Sequence, residues 1–383
     1  MASLESRKHI SPDSGFSVTL HPHFNARIAS HVPSSPIREA FDPPKDRAHF
    51  ADPEKKALFA VARRVDLTEG VGTLLENVQL SQLNAQQLDE LALLVTERGV
   101  VFFRDQDLTT EKQVELFEHY EEGILDKHPA QKHKDIYGNT DDHREIANFT
   151  PWPIAEWHAD TSFEINPPSY SLLRMEEHPE IGGDTAWISQ YGTYDALSDA
   201  YKRFLEGLHA VHTSRLQCML CLSGSQNSDL IHDKLIIITI DDTIADLWGI
   251  APNRPPIDTH HPAVRTHPVT GLKALNVNPG FVTGFAELKK LESDKVLDFL
   301  YTHIHSADDH YVRWKWNVGS VAFWDNRCVA HRVIPGSYET PRRGVRTTVY
   351  GEKPFLDPAS EGRLQRKLRK AREAKTNGTA VKQ

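Results

Sequence analysis

The sequence predicts a mainly β fold with flanking helices, a sandwich or barrel, and three observations predict it. From Ser169 onward short apolar runs recur, each bounded by Gly or Pro. Helical spacing is confined to a few segments before and between those runs. Apolar residues make up 39% of the chain and charged residues 25%, enough to bury a core and incompatible with a wholly disordered chain.

Taken in order, residues 1–55 carry no periodic pattern and are rich in Pro and Ser (Pro33, Ser34, Ser35, Pro36, Pro43, Pro44). They read as an arm lying on the core or loosely ordered. Organised structure starts near Leu58. Leu88, Leu91, Leu94 and Val95 share one face of a helix over 83–98, which Gly99 closes. Residues 100–103 read as a buried strand. A second helix covers 109–120, with Thr109 or Thr110 as its N-cap. Strands follow at 170–175, 185–188, 275–277, 312–316, 321–324 and 347–350, interrupted by helices over 191–208 and 286–303. The segment 218–241 breaks the pattern, running from Cys218-Met219-Leu220-Cys221 through a polar stretch into a strand-like 235–240. Residues 363–375 hold seven basic residues and one acid, a solvated helix that frays within a basic tail, 357–383. No internal repeat is present.

Charge and composition exclude several classes. With 44 Lys+Arg against 53 Asp+Glu, a formal charge of −9 does not advertise nucleic-acid binding. No stretch approaches the roughly 18 consecutive apolar residues that a membrane span needs. The first ten residues are charged and lack a signal peptide's apolar core. Three cysteines, Cys218, Cys221 and Cys328, make no disulfide framework and fit a reducing compartment. The expectation is a cytoplasmic protein without nucleic-acid or membrane partners, its oligomeric state open to a homo-oligomer. Twenty-one histidines are the unusual count, and they direct attention to metal chemistry.

Two histidines and a carboxylate on one face of an iron leave three coordination positions open for oxygen and a chelating cosubstrate. His-x-Asp at a strand end suits this, because alternate residues point the same way. Among 21 histidines about one His-x-Asp arises by chance, so the motif alone is weak. This chain has two. His133–Asp135 lies in the hydrophilic run Gln131-Lys132-His133-Lys134-Asp135, which looks like a surface loop. His158–Asp160 lies in Glu156-Trp157-His158-Ala159-Asp160-Thr161-Ser162-Phe163, where aromatics on both sides can wall a site. The second is the better candidate. A rival thiol-redox or zinc site at Cys218 and Cys221 lacks both a second ligand pair and a βαβ setting.

Four runs in order, Trp157-His158-Ala159-Asp160, Gly182-Gly183-Asp184-Thr185-Ala186-Trp187, Arg265-Thr266-His267-Pro268-Val269-Thr270-Gly271 and Trp324-Asp325-Asn326-Arg327 with His331, resemble the taurine dioxygenase and chlorophenoxyacetate dioxygenase family. The resemblance runs from about Asn77 to Phe355 and is strongest to fungal sulfonate dioxygenases. It implies a double-stranded β-helix, or jelly roll, over 56–356 and an iron(II)- and 2-oxoglutarate-dependent oxygenase. His158, Asp160 and His331 match the iron ligands. Thr185 and Arg342 match the residues that hold the distal carboxylate of 2-oxoglutarate. Arg343 is adjacent, but on a strand its side chain faces the other way. Trp324 matches a tryptophan packed near the iron. The implied chemistry is oxidative decarboxylation to succinate and carbon dioxide, with O2 as cosubstrate and oxidation of a substrate C–H.

The same resemblance implies a small anionic substrate. Arg346 and His128 match the arginine and histidine that hold a sulfonate, and Phe281 matches an aromatic pocket wall. Gln131 and Ile154 stand where taurine enzymes have a tyrosine and an asparagine near the substrate amine, which argues against taurine itself. The alternative is a specialised-metabolism oxygenase in which Arg346 and His128 hold a carboxylate, as of an amino acid. The segment 218–241 has no counterpart in the family, and reads equally as a lid insertion or a retained intron.

Overall fold

The computed structural model describes residues 39–121, 137–140, 156–214, 257–334 and 342–380. Its strands in chain order are β1 (Arg63–Asp66), β2 (Thr73–Glu76), β3 (Val100–Phe103), β4 (Tyr137–Thr140), β5 (Pro168–Glu177), β6 (Thr185–Ser189), β7 (His209–Thr213) and β8 (Asp258–Pro262). They continue with β9 (Val264–Thr266), β10 (Lys273–Leu275), β11 (Val282–Phe285), β12 (Tyr311–Trp314), β13 (Val321–Asp325), β14 (Val329–Val333) and β15 (Arg343–Tyr350). The helices are α1 (Lys56–Phe59), α2 (Ala85–Arg98), α3 (Thr110–Glu121), α4 (Gln190–Asp195), α5 (Asp199–Leu205), α6 (Lys290–His305) and α7 (Arg363–Ala380).

One large sheet, ordered β1-β2-β3-β13-β5-β15-β4, faces smaller ones ordered β12-β6-β14 and β11-β7-β8. Side-chain alternation explains the layering. On the large sheet Val100, Phe102, Leu173, Met175, Ala322 and Trp324 point toward Trp187, Val312, Trp314 and Val329 of the small sheet, forming the core between them. Their neighbours Val101, Phe103, Leu172, Val321 and Phe323 point the other way, onto Leu88, Leu91 and Val95 of α2 and Phe117 and Tyr120 of α3. Helix α6 covers the small sheets through Leu297, Leu300 and Ile304. This is the jelly roll the sequence implied. Among the described residues no helix is long and apolar enough to cross a membrane.

Several element boundaries differ from the sequence reading. Helix 191–208 is two helices, because Ser198 caps α5 through its side chain and stops α4 from continuing. Helix 286–303 begins at Lys290, and the strand expected at 275–277 lies at Lys273–Leu275, paired with Val264–Thr266. Thr109 caps α3, its hydroxyl accepting the Lys112 N–H at 3.3 Å. Helix α7 is docked by its first turns, Arg363 donating to the Gly70 carbonyl and Arg366 to the Thr270 carbonyl, and is exposed along most of the rest. The segment 218–241 with Cys218 and Cys221 lies outside the described residues.

Residues 39–55, expected as part of an arm lying on the core or loosely ordered, lie on the core, with Phe41 and Ala48 buried against it. Phe41 exchanges backbone hydrogen bonds with the Asn166 amide, and Arg47 forks onto Asp89 at 2.8 and 2.9 Å. Asp46 accepts from the Tyr170 hydroxyl and from Arg327 Nη1 at 2.8 Å. Arg327 is fully enclosed and also clamps Asp325 at 2.8 and 2.7 Å. Burial alone pushes the Asp325 carboxyl up, but Arg327 and His267 outweigh it and hold it well below the usual range. Arg327→Met should therefore destabilise the fold by about 3–5 kcal/mol at pH 7, since it leaves the buried Asp325 carboxylate without its guanidinium partner. A depressed native pKa contributes stability above the unfolded pKa and loses it as pH falls toward the native one. The gap between wild type and variant in denaturant melts should thus narrow below about pH 4.

Candidate metal centre

Backbone pairing creates the centre. His158 and His331 face each other across an isolated antiparallel bridge, each N–H donating to the other's carbonyl at 2.9 and 2.8 Å. Strand alternation then sends Trp157 into the core beneath α6 while His158 and Asp160 turn to the interior. The next residue, Thr161, has φ 35°, a left-handed conformation costing roughly 1–3 kcal/mol that the surrounding contacts hold in place. One ligand atom each from His158, Asp160 and His331 lies within 4.8 Å of the others. His331 Nε2 stands 3.7 Å from Asp160 Oδ1, too far for a hydrogen bond and suited to two donors sharing an ion.

The protonation states suit a metal. His158 Nδ1 lies 2.8 Å from the Glu156 carbonyl, which can only accept, so the proton is on Nδ1 and the Nε2 lone pair is available. Burial, with His158 adding to it against the opposing Asp160, pushes His331 down to about 3, so the ring is neutral. Burial pushes the Asp160 carboxyl up, but the Arg346 guanidinium, helped by the Ser171 hydroxyl, outweighs it and holds the carboxyl well below its usual range. Two neutral imidazoles and an ionised carboxylate are a donor set that fits iron(II). Trp324 packs on His331 with ring centroids 4.9 Å apart.

A second polar cradle lies beside this triad. Gly182 and Gly183, with φ 90° and 67°, make a turn open to glycine that aims the Gly183 carbonyl at Arg342. Arg342, 3% exposed, donates from Nε to that carbonyl at 2.8 Å and from Nη2 to Thr185 Oγ1 at 3.1 Å. Thr185 Oγ1 also accepts from Trp316 Nε1 at 2.9 Å, which leaves its own proton to donate. Arg343 points to the opposite face, against Glu176 and Glu177.

Arg346 shares the interior face with Arg342, and its Nη1 lies 2.6 Å from Asp160 Oδ1. Phe281 stands edge-on to His158, ring centroids 5.8 Å apart, and joins Phe163, Ile165 and Ile257 in an apolar wall. Gly280 lets this wall approach: an added Cβ would come within 2.8 Å of His158 Cβ. His128, Gln131, His133 and Ile154 lie outside the described residues.

The sequence reading gave no role to Ser171, Asn326 or Gly280, all of which touch the centre. Asn326 sat inside a quoted run, and Gly280 beside Phe281, but Ser171 carries no local signal. A second group, His267, Asp325 and Cys328, is also close enough to share an ion. Its donors are taken: His267 Nδ1 accepts the Val269 and Thr270 N–H groups, Nε2 pairs with Asp325, and Asp325 holds Arg327. It pins the 267–271 turn to β13.

Comparison with known proteins agrees with this geometry. The family described as Taurine catabolism dioxygenase TauD, TfdA family matches residues 63–348. A Schizosaccharomyces pombe protein provisionally named an alpha-ketoglutarate-dependent sulfonate dioxygenase is 36% identical over 84% of this chain and 78% of its own. The alpha-ketoglutarate-dependent sulfonate dioxygenase of Saccharomyces cerevisiae is 33% identical over 76% of this chain and 67% of its own. The crystal structure of a taurine dioxygenase from Burkholderia xenovorans superposes with a TM-score of 0.58 at 28% identity, covering 78% of this chain and 92% of that one. The chain belongs to the TauD, TfdA family and is a non-haem dioxygenase that uses iron(II) and 2-oxoglutarate.

Proposed function

We propose that this enzyme is cytoplasmic and oxidises the carbon bearing the sulfonate of a small alkyl sulfonate. His158, Asp160 and His331 hold the iron(II), Arg342 and Thr185 hold the distal carboxylate of 2-oxoglutarate, and Arg346, with His128, holds the sulfonate against the Phe281 wall. The observation that carries the reading is Arg346, a partly exposed guanidinium 2.6 Å from the carboxylate of the triad. Iron(II), Asp160, 2-oxoglutarate and the two arginines together leave one positive charge, which a monoanionic head group neutralises.

When bound, iron(II) with 2-oxoglutarate supplies oxidation of a C–H by dioxygen, giving succinate and carbon dioxide. This chain's residues bind and orient. Arg342 and Thr185 fix one end of the cosubstrate, Phe281 and Phe163 exclude water beside His158, and Arg346 fixes the distance from the anion to the oxidised carbon. Hydroxylation of a carbon bearing a sulfonate breaks its C–S bond, leaving an aldehyde and sulfite. One dioxygen and one 2-oxoglutarate therefore yield one each of aldehyde, sulfite, succinate and carbon dioxide.

The test is to incubate the iron(II) enzyme with 2-oxoglutarate and panels of sulfonates, sulfate esters and amino acids, measuring succinate and sulfite. Equal succinate and sulfite from a sulfonate is the expected result, with amine-free alkyl sulfonates used at least as well as taurine. Succinate coupled only to carboxylates or amino acids would replace the sulfonate by a carboxylate, which a guanidinium also grips. Arg346→Ala should weaken the true substrate by about 2 kcal/mol, the low end for truncating a hydrogen-bonded charge partner because Arg346 is partly exposed. The loss for 2-oxoglutarate should be smaller.

A further inference from the structure

Asp160 sits in a closed ring of hydrogen bonds whose direction is fixed at every link. Asn326 Oδ1 faces two groups that can only donate, the Asp160 N–H at 3.1 Å and Trp324 Nε1 at 3.0 Å. The amide is therefore oriented with Nδ2 toward Ser171 Oγ, 2.9 Å away. Ser171 Oγ accepts that bond, so its own proton goes to Asp160 Oδ2 at 2.7 Å. The ring leaves Asp160 by its backbone N–H and returns to it at its carboxylate. Ser171 is wholly enclosed, and Asp160, Asn326 and Trp324 are at most 5% exposed, so water cannot replace a missing member.

The two oxygens of Asp160 are thereby assigned different tasks. Oδ2 is tied back to Ser171, whereas Oδ1 faces His331 Nε2 and Arg346. Building on the iron site proposed above, we infer that Ser171 and Asn326 are positioning residues that hold Asp160 as a one-oxygen ligand through Oδ1. A carboxylate binding through both oxygens would occupy one of the three positions that the chelating cosubstrate and dioxygen require. The ring keeps the second oxygen off the metal and that position open.

Two substitutions break the same link from opposite ends. Ser171→Ala removes the hydroxyl. Asn326→Asp keeps size and shape and, when ionised, still accepts from Asp160 and Trp324 but cannot donate to Ser171, whose proton is drawn away from Asp160; the variant is therefore read at a pH high enough to ionise it. The probe is Co(II) in place of iron(II), whose visible ligand-field spectrum reports coordination number, followed by titration with 2-oxoglutarate. Both variants should change the spectrum of bound Co(II) and raise the Kd for 2-oxoglutarate about tenfold, read at saturating Co(II) because loss of an outer hydrogen-bond partner also lowers metal affinity roughly 10- to 100-fold. The double variant should be no worse than either single one, because they remove one interaction. Ser171→Thr, which restores a hydroxyl, should recover the wild-type spectrum.

An unchanged spectrum and unchanged 2-oxoglutarate affinity in both variants would overturn the inference. So would parallel losses of Tm and Co(II) affinity with the spectrum of the bound ion preserved, the pattern of a merely structural role. If Asn326→Asp, which adds a carboxylate to an enclosed site, fails to fold, Ser171→Ala decides alone, because it removes only a hydroxyl. Failure of the wild type to bind Co(II), or equally tight binding by His331→Ala, would instead overturn the metal-site reading on which the inference rests.

Discussion

Replacing His331 by Ala should reduce iron(II)-dependent succinate formation to background without unfolding the chain. The bridge that brings His331 to His158 is made by backbone N–H and carbonyl groups, so removing the imidazole leaves the pairing in place. The lost ring is neutral, so no charge is stranded. Loss of a direct ligand should lower metal affinity by more than the roughly 10- to 100-fold that loss of an outer hydrogen-bond partner costs. Asp160→Ala and His158→Ala should share the phenotype, with circular dichroism and thermal melts confirming the fold. His133→Ala is the control from the other His-x-Asp, expected to remain within a few-fold of wild type in activity. Equal loss at His133 would reverse the choice between the two motifs.

Of the two aromatics that flank His158–Asp160 in the sequence, Phe163 joins Phe281 in the wall beside the centre, whereas Trp157 turns away into the core beneath α6. The large sheet was legible where apolar runs are dense, as at Val100–Phe103 and Val321–Asp325, both buried along their whole length. It was not legible where pairing overrides composition. Asp258–Pro262 has no apolar run to mark it, and it is a strand by pairing with His209–Thr213 alongside it. The break in the helix expected over 191–208 had a visible signal in Ser198, a residue favoured as a helix start.

Of the ring around Asp160, Ser171 had no sequence signature, and Asn326 had only its place in the Trp324–Arg327 run. Asn326 lies 166 positions from Asp160, and Arg346 lies 186. Local spacing predicts what one strand or helix presents to one face, whereas these contacts arise where the two sheets meet. The same applies to Asp46 and Arg327, 281 positions apart, which fasten the described part of the arm to the core.

Arg342→Ala should raise the KM for 2-oxoglutarate by about 30-fold or more, while Arg343→Ala changes it little. Truncating one partner of a desolvated charge pair costs about 2–5 kcal/mol, and each 1.4 kcal/mol is tenfold. Arg342 is buried, and its guanidinium is already oriented by the Gly183 carbonyl and Thr185, so a carboxylate meets a fork held in place. Arg342→Lys keeps the charge but cannot reproduce both bonds, so it should recover only part of the affinity. Arg343 instead pairs with Glu176 and Glu177 on the opposite face of the strand, where loss of a partly exposed ion pair is worth about 1 kcal/mol or less. Steady-state kinetics with 2-oxoglutarate varied at saturating iron(II) measures the difference. A sensitive Arg343 beside an insensitive Arg342 would place the cosubstrate on the other face of β15, and would remove Thr185 from its binding as well.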